Sequence, residues 1–462
     1  MIEDSILKQL RRIVGTDHVL TGDDQLSEYG TDATRLTFMP EAVLLPRTSG
    51  EVSEILSLAT DLGLSVTPRG AGTGKSGGAL PVRGGIVLAM DRFNHILQVD
   101  EDNLVAMVEP GVITADFQER VEKVGLFYPP DPASVRISTI GGNVAACAGG
   151  LRAVKYGVTR DYVMGLEVVL PTGEIIRTGV ETAKGVVGYD LTRLIVGSEG
   201  TLAVITAVTL RLLPKPDTKK TMLAFFRNMP GAVQTVSEII RQKVVPTTLE
   251  FMDRYCIQCV REDMGLDIPL NAEALLLIEV DGVETLTERE CDQIRHICTR
   301  TGALRFDTGS GEEETARLWE IRRNISESIF VLGPHKISED IVVPRSRMAE
   351  YITFLDALGR KYRLPMPAFG HAGDGNIHVN IMFDKNRPEE VERAEQAVRE
   401  LFRKVVEMRG TISGEHGVGL TKAPFLDMEL SRPSMELMLR LKKAFDPRGI
   451  LNPGKIFPSY LT

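Results

Sequence analysis

Leu64-Ser-Val-Thr67 runs without a break into Pro68-Arg69-Gly70-Ala71-Gly72-Thr73-Gly74-Lys75-Ser76-Gly77-Gly78, and then into Ala79-Leu-Pro81-Val-Arg-Gly-Gly-Ile86-Val-Leu-Ala-Met90. How this stretch is read decides the fold of the first half of the chain. Residues 64–67 and 86–90 carry the apolar, β-branched pattern of strands. Gly74-Lys75-Ser76 ends like a phosphate-binding P-loop, but that motif needs a glycine five residues before Gly74, where Arg69 stands. Gly72-x-Gly74-x-x-Gly77 fits the dinucleotide pattern letter by letter, yet that pattern must open a helix. Here Pro81 breaks the lead into a strand. The segment is strand–loop–strand, and both readings fail. Its glycines still expose successive backbone N–H groups, a cradle suited to a pyrophosphate.

Working outward, residues 42–46 read as a strand. Thr48-x-x-Glu51 is a capping-box signal for a helix with Val52, Ile55, Leu56, Ala59 and Leu62 at helical spacing. Two more Gly-rich stretches follow. Asp131 and Ser134 lead into Ser138-Thr139-Ile-Gly141-Gly142-Asn143, and Gly197-Ser198-Glu199-Gly200-Thr201 leads to Ile205. Small residues let a ligand lie against backbone. Three such stretches in the first half point to a large cofactor along a backbone-lined groove.

After Pro214-Lys-Pro216 the character changes. Strands are expected at residues 221–226, 248–252, 274–280, 303–307 and 341–343. They alternate with helices at 231–242, 284–301, 315–332 and 347–361, an α+β layer distinct from the first part. A charged helix at 388–409 precedes Ser413-Gly414-Glu415-His416-Gly417, and a helix at 434–445 precedes the tail Asn452-Pro-Gly-Lys455. Domains are placed at 1–215, 216–410 and 411–462.

Within the second part, Phe369-Gly-His371-Ala-Gly-Asp374-Gly-Asn376-Ile-His378-Val-Asn380 brackets a Gly-Asp-Gly-Asn turn with two histidines. Residues 377–382 alternate as a half-buried strand does, so His378 and Asn380 share a face. Two imidazoles and an amide aimed at one point suit a metal or a polar substrate. The plain alternative is a tight hairpin with incidental histidines.

With 54 Lys+Arg against 63 Asp+Glu, the net charge of −9 disfavours nucleic acid or an anionic membrane as main partner. No apolar run is long enough to span a bilayer, and Glu3 and Asp4 stand where a signal peptide needs positive charge. Residues 6–13 read as an amphipathic helix, and a cytoplasmic location is expected. The five cysteines (Cys147, Cys256, Cys259, Cys291, Cys298) are sparse and odd in number, unlike a disulfide framework. Cys256, Cys259, Cys291 and Cys298 are drawn more readily on helices than as a thiolate metal site.

Taken in order, the loop at 68–78, Gly141-Gly142-Asn143, Gly197-Ser198-Glu199-Gly200-Thr201, the His371–His378 stretch and Glu415-His416-Gly417 resemble the FAD-linked oxidoreductases of the vanillyl-alcohol-oxidase superfamily. The nearest branch holds D-lactate dehydrogenases, D-2-hydroxyglutarate dehydrogenases and the FAD subunit of glycolate oxidase. The resemblance implies an α+β chain with a two-part FAD-binding domain and an inserted α+β substrate (cap) domain. It assigns cofactor contacts to Arg69, Gly70, Ala71, Gly72, Thr73, Gly74 and Ser76 in the first loop. Asp131, Ser134, Ser138, Gly141, Gly142 and Asn143 would continue the cradle, joined by Glu199, Gly200, Ile205 and the returning Asn452. Some members attach flavin through a histidine in the first loop. This loop has none, so FAD is expected to be non-covalent. His371, His378 and Glu415 match ligands of a divalent metal (Zn, Mn or Fe), His416 a catalytic base, and Arg322 the grip on the substrate carboxylate. Lys336 and Asn380 match further substrate contacts. Lys75 stands where the family is commonly apolar.

Oxidising a 2-hydroxy acid needs a base for the hydroxyl proton, a role a histidine suits. It also needs a fork for the carboxylate, which arginine offers, and a redox cofactor, because side chains carry no hydride chemistry. The expected activity is therefore FAD-dependent dehydrogenation of a small D-2-hydroxy acid, D-lactate or glycolate, with D-2-hydroxyglutarate as an alternative. The electrons are expected to pass to an electron-transfer flavoprotein, an iron–sulfur subunit or a quinone. Such a partner would allow peripheral membrane association, and a dimer is compatible with the sequence. A metal-dependent hydrolase using His371, His378 and Glu415 is the competing class, and it leaves the three Gly-rich stretches without a purpose.

Overall fold

Apolar runs buried on both faces set the first sheet. The computed structural model describes residues 2–264, 267–309 and 311–461; Met1 and Thr462, the expected outer domain ends, lie outside the described residues. The chain forms two units. The first takes the residues up to Gly150, Val158–Lys215 and everything from Glu415 on; the second takes Leu151–Gly157 and Pro216–Gly414.

In the first unit a four-stranded sheet runs Val19–Leu20, Ala42–Leu44, Ile86–Ala89, Val66–Arg69, the last three parallel. Every residue of Ile86–Ala89 is buried, as expected of a parallel strand covered on both sides. Helix Ser49–Leu62 starts where the sequence predicts. The Thr48 hydroxyl accepts the Glu51 N–H at 3.1 Å, and the Glu51 carboxylate accepts the N–H of Arg47 at 2.7 Å. It packs Ile55 and Leu56 with Leu10, Val14, Leu88 and Leu451. No helix follows Arg69; the chain passes through the Gly-rich loop directly to Ile86–Ala89. A second sheet, antiparallel throughout, is ordered Ile96–Asp100, Val105–Val108, Val204–Arg211, Val163–Val169, Ile175–Gly179. The C-terminal tail returns to the first sheet. Val66 donates to the Ile450 carbonyl at 2.8 Å, and Asn452 donates to that of Val66 at 2.7 Å.

The second unit is built on a seven-stranded antiparallel sheet in the order Ala303–Thr308, Thr218–Phe226, Ala274–Gly282, Thr248–Asp253, Ala368–His371, Asn376–Phe383, His335–Val342. Helices Arg254–Met264 and Gly311–Ser328 cover one face, packing Cys256, Cys259, Ile321 and Ile325 onto Leu223, Leu275, Leu277 and Phe369. All five cysteines are free thiols, and Cys256, Cys259, Cys291 and Cys298 lie buried in helices as apolar filling. The edge strand extends over His335–Val342 where the sequence pattern suggests only 341–343. Lys336, Ser338, Glu339 and Asp340 hide it from any apolar signal. Asp253 closes the sheet onto helix Arg254–Met264: its carboxylate accepts the N–H of Cys256 at 2.9 Å and of Ala368 at 2.8 Å. Burial nevertheless raises its pKa to about 6.

Candidate active site

The Gly-rich stretches of the first unit meet. A methyl group added to Gly70 would stand 2.4 Å from the Thr139 hydroxyl, and one added to Gly141 would stand 2.4 Å from Pro110. Gly70 thus lets the first loop lie against the second at Thr139, and Gly141 lets the second lie against Pro110. Gly72 and Gly77 take positive φ of 67° and 80°, which side chains resist, and beside Gly74 the space is open. The third stretch docks on the end of helix Ile140–Ala146: Gly197 donates to Val144 and Glu199 to Ala145, at 3.0 and 2.8 Å. Asn452 fastens the tail to the same place, its amide donating to the carbonyls of Gly78 (2.9 Å) and Glu199 (2.8 Å). Leu420 and Thr421 both donate to the Ser76 carbonyl. Backbone, rather than side chains, therefore lines this region, which suits a long phosphate-bearing cofactor.

Several sequence-predicted cofactor residues also make contacts within the protein. The Asn143 amide donates to Thr114 at 2.7 Å, and Thr114 in turn donates to the Ser138 carbonyl at 2.9 Å. Arg69 turns beneath the loop, its guanidinium against Gly72 and 5.7 Å from the Tyr29 ring centre. Ile205 is buried in strand Val204–Arg211, Asp131 lies against Gly150, and the Ser134 carbonyl accepts from Ile137 and Ser138. Gly200 stands over Pro68, Ala71 is exposed, and Thr73 is half-buried. Lys75 is exposed.

His416 is half-buried, and the loop after it is held by Glu199. The Glu199 carboxylate accepts the N–H groups of Val418 and Gly419, each at 2.8 Å, while a side chain at Gly417 would collide with it. Burial pushes this carboxyl's pKa upward, against the pull of the two donors. Glu415 packs on Gly149, where an added methyl would stand 2.7 Å from its carboxylate.

In the second unit one sheet face gathers the remaining candidates. Register places Glu250 opposite His371, and His378 opposite both Phe369 and Asp340. The period of two puts Phe369 with His371, and Asn376 with His378 and Asn380. The two imidazoles sit edge to face, ring centres 5.1 Å apart. Glu250, fully buried, accepts from His371 Nδ1 through one oxygen and from Arg322 Nε, at 2.6 Å, through the other. Burial works against its ionisation, but the His371 and Arg322 contacts outweigh that and hold its pKa at about 2. Helix Gly311–Ser328 delivers Arg322 to this face, with its guanidinium carbon 4.7 Å from the Phe369 ring centre; the neighbouring Arg323 is exposed. Asp340 Oδ1 lies 3.7 Å from His378 Nδ1 and accepts from the Asn376 amide at 2.6 Å. Asn380 is buried and accepts from the Ser338 hydroxyl at 2.7 Å. Lys336 reaches back to Ser326, at 3.0 Å from its carbonyl and 2.9 Å from its hydroxyl.

Within this unit the fold thus brings together His371, His378, Asn380 and Arg322. The sequence reading missed Glu250 and Asp340. For Glu250 a signal was present: a lone acid within the apolar run Leu249-Glu250-Phe251-Met252 demands buried partners.

Residues 40–179 match the family described as "FAD binding domain", and residues 215–456 match "FAD linked oxidases, C-terminal domain". The chain is 47% identical to the "Glycolate oxidase subunit GlcD" of Bacillus subtilis (strain 168), over 99% of this chain and 97% of that one. It is 35% identical to the "D-lactate dehydrogenase" of Anaerostipes hadrus, over 96% and 95%. A solved structure of p-cresol methylhydroxylase superposes with a TM-score of 0.80 at 17% identity, covering 99% of this chain and 97% of that one. The fold is therefore the two-domain, FAD-binding α+β architecture of the vanillyl-alcohol-oxidase type. The FAD-binding match decides against a hydrolase. No helix among the described residues is long and apolar enough to cross a membrane.

Proposed function

The chain belongs to the FAD-linked oxidases, and on that premise we propose that this oxidoreductase converts a small D-2-hydroxy acid, glycolate or D-lactate, to the 2-oxo acid. The observation that carries the reading is the sheet face on which Arg322, His371 and His378 converge, in a chain whose other unit carries a glycine cradle fit for FAD. Bound non-covalently along residues 70–76, 138–143 and 197–200, FAD would supply the two-electron acceptor for the hydride from Cα. Arg322 holds the substrate carboxylate. Its Nε edge is committed to Glu250 and its plane to Phe369, so the orientation of its remaining donors is fixed before substrate arrives. His416 takes the hydroxyl proton, on a loop that Glu199 keeps from drifting. His371, His378 and Glu415 are a donor set suited to zinc, manganese or iron, and a cation there would polarise the hydroxyl. Lys336 and Asn380 border the substrate. Because the B. subtilis relative is called a subunit, the onward acceptor of the electrons would be a partner protein, an electron-transfer flavoprotein or an iron–sulfur subunit, with a quinone as the alternative.

Anaerobic mixing of the purified flavoprotein with D- and L-2-hydroxy acids tests this reading. Bleaching of the flavin bands by glycolate or D-lactate, with the L-acids inert, is expected. No bleaching by any acid with the protein alone would mean that a partner supplies the substrate site.

A further inference from the structure

Glu250 is a glutamate with no exposed surface, in a strand whose neighbours Leu249, Phe251 and Met252 are core residues. A buried anion is tolerated only when its partners are well placed, and removal of one partner is costly. Its partners come from two different elements: His371 from the adjacent strand, directly opposite in register, and Arg322 from the helix that covers the face. Each partner takes a separate oxygen. A carboxylate can only accept, so Nδ1 of His371 carries the proton, and in the neutral ring Nε2 keeps the lone pair. Nε of Arg322 is likewise committed, which leaves the Nη edge for a ligand.

We propose that Glu250 is a positioning residue that sets two side chains at once: the guanidinium that would grip the substrate carboxylate, and the imidazole whose Nε2 would take the metal-ligand role. One anion thus couples substrate grip to ligand orientation. Asp340 stands behind His378 in a looser version of the same relation. Its Oδ1 lies 3.7 Å from the ring Nδ1, beyond hydrogen-bond distance, and its oxygens accept from Asn376 and from the N–H of Gly414 at 2.9 Å. This inference rests on the site reading above for what Arg322 and His371 do, but not for how they are held.

The test uses the intact flavoprotein with Glu250→Gln and Glu250→Asp. In Glu250→Gln the amide presents one acceptor where two are needed. The KM for the 2-hydroxy acid and the concentration of metal needed for half-maximal retention should each rise about 10-fold or more, the usual scale for loss of a partner behind a ligand. Glu250→Asp should recover part of both effects. Histidine-selective ¹⁵N spectra of the oxidised, chelator-treated wild type should show His371 protonated at Nδ1, with a strongly downfield proton that is lost in Glu250→Gln. A merely structural role would lower the melting temperature without moving the tautomer. Wild-type KM in a folded Glu250→Gln protein, or a wild-type His371 protonated at Nε2, would overturn the proposal. A metal-free wild type, or Arg322→Ala with unchanged KM, would instead overturn the site reading, while the tautomer spectrum would still decide the case of Glu250.

Discussion

At the scale of single residues, the sheet face and the His416 loop share one feature: a buried carboxylate accepts hydrogen bonds from candidate site residues or from the loop beside one. Glu250 does so from an adjacent strand and Glu199 from a distant loop. If His416 is the base, His416→Ala should retain FAD and slow anaerobic flavin reduction by about 10²-fold or more. An unchanged rate in stopped-flow absorbance would remove it from the mechanism. Lys455 offers a separate test of burial. Its ammonium donates to the Leu80 carbonyl at 2.5 Å, and desolvation lowers its pKa to about 8 despite Asp32 and Glu199 nearby. The folded chain sheds this proton near pH 8, and the unfolded chain sheds it near the ordinary 10.5. Between those values the unfolded state binds more protons, so the contribution of Lys455 to stability rises with pH. In urea melts of flavin-free protein, wild-type stability minus that of Lys455→Met should therefore increase from pH 8 to 10.5. A constant difference would refute the shift. Among these residues, the sequence disclosed His378 and Asn380 through their spacing of two. Glu250 stayed hidden because its partner His371 is 121 positions away, and only strand pairing brings them together.

At the scale of elements, the loop after strand Val66–Arg69 works through what it lacks. Gly70→Ala would force its methyl to within 2.4 Å of the Thr139 hydroxyl and part the two Gly-rich stretches. The variant should purify with most of its flavin missing, read as the ratio of 450 nm to 280 nm absorbance; full flavin content would show that this contact does not shape the cradle. The strand–loop–strand character of this region was legible, because Pro81 and the missing Gly at position 69 exclude both nucleotide motifs. Helix Ser49–Leu62 was legible from its cap and apolar stripe. Strand His335–Val342 was legible only at its apolar end, since the rest carries the polar residues of a site rather than those of a core. The same cause hid Asp340, whose partners lie on other strands and loops.

At the scale of the whole molecule, the chain completes its FAD-binding unit only with its last segment, from Glu415 on. Strand Val66–Arg69 exchanges backbone hydrogen bonds with Ile450 and Asn452, and Lys442 donates to the carbonyls of Thr201 and Leu451, each at 2.7 Å. Truncation before Asp446 should therefore abolish flavin binding and lower the melting temperature of the first unit. The strands of the second unit, all numbered between 218 and 383, should keep their protection in hydrogen exchange. Equal loss of protection in both units would show that they fold as one.

That discontinuous path carries a consequence for biogenesis. A ribosome releases residues in order, so the second unit has all of its strands before the first unit has its closing segment. The half-built cradle must wait through the synthesis of roughly two hundred intervening residues, with the edge of its first sheet unpaired. If truncation before Asp446 does abolish flavin binding, flavin loading must follow synthesis of the closing segment, and a nascent chain stalled short of Asn452 would leave the edge of strand Val66–Arg69 open, a form for chaperones to guard.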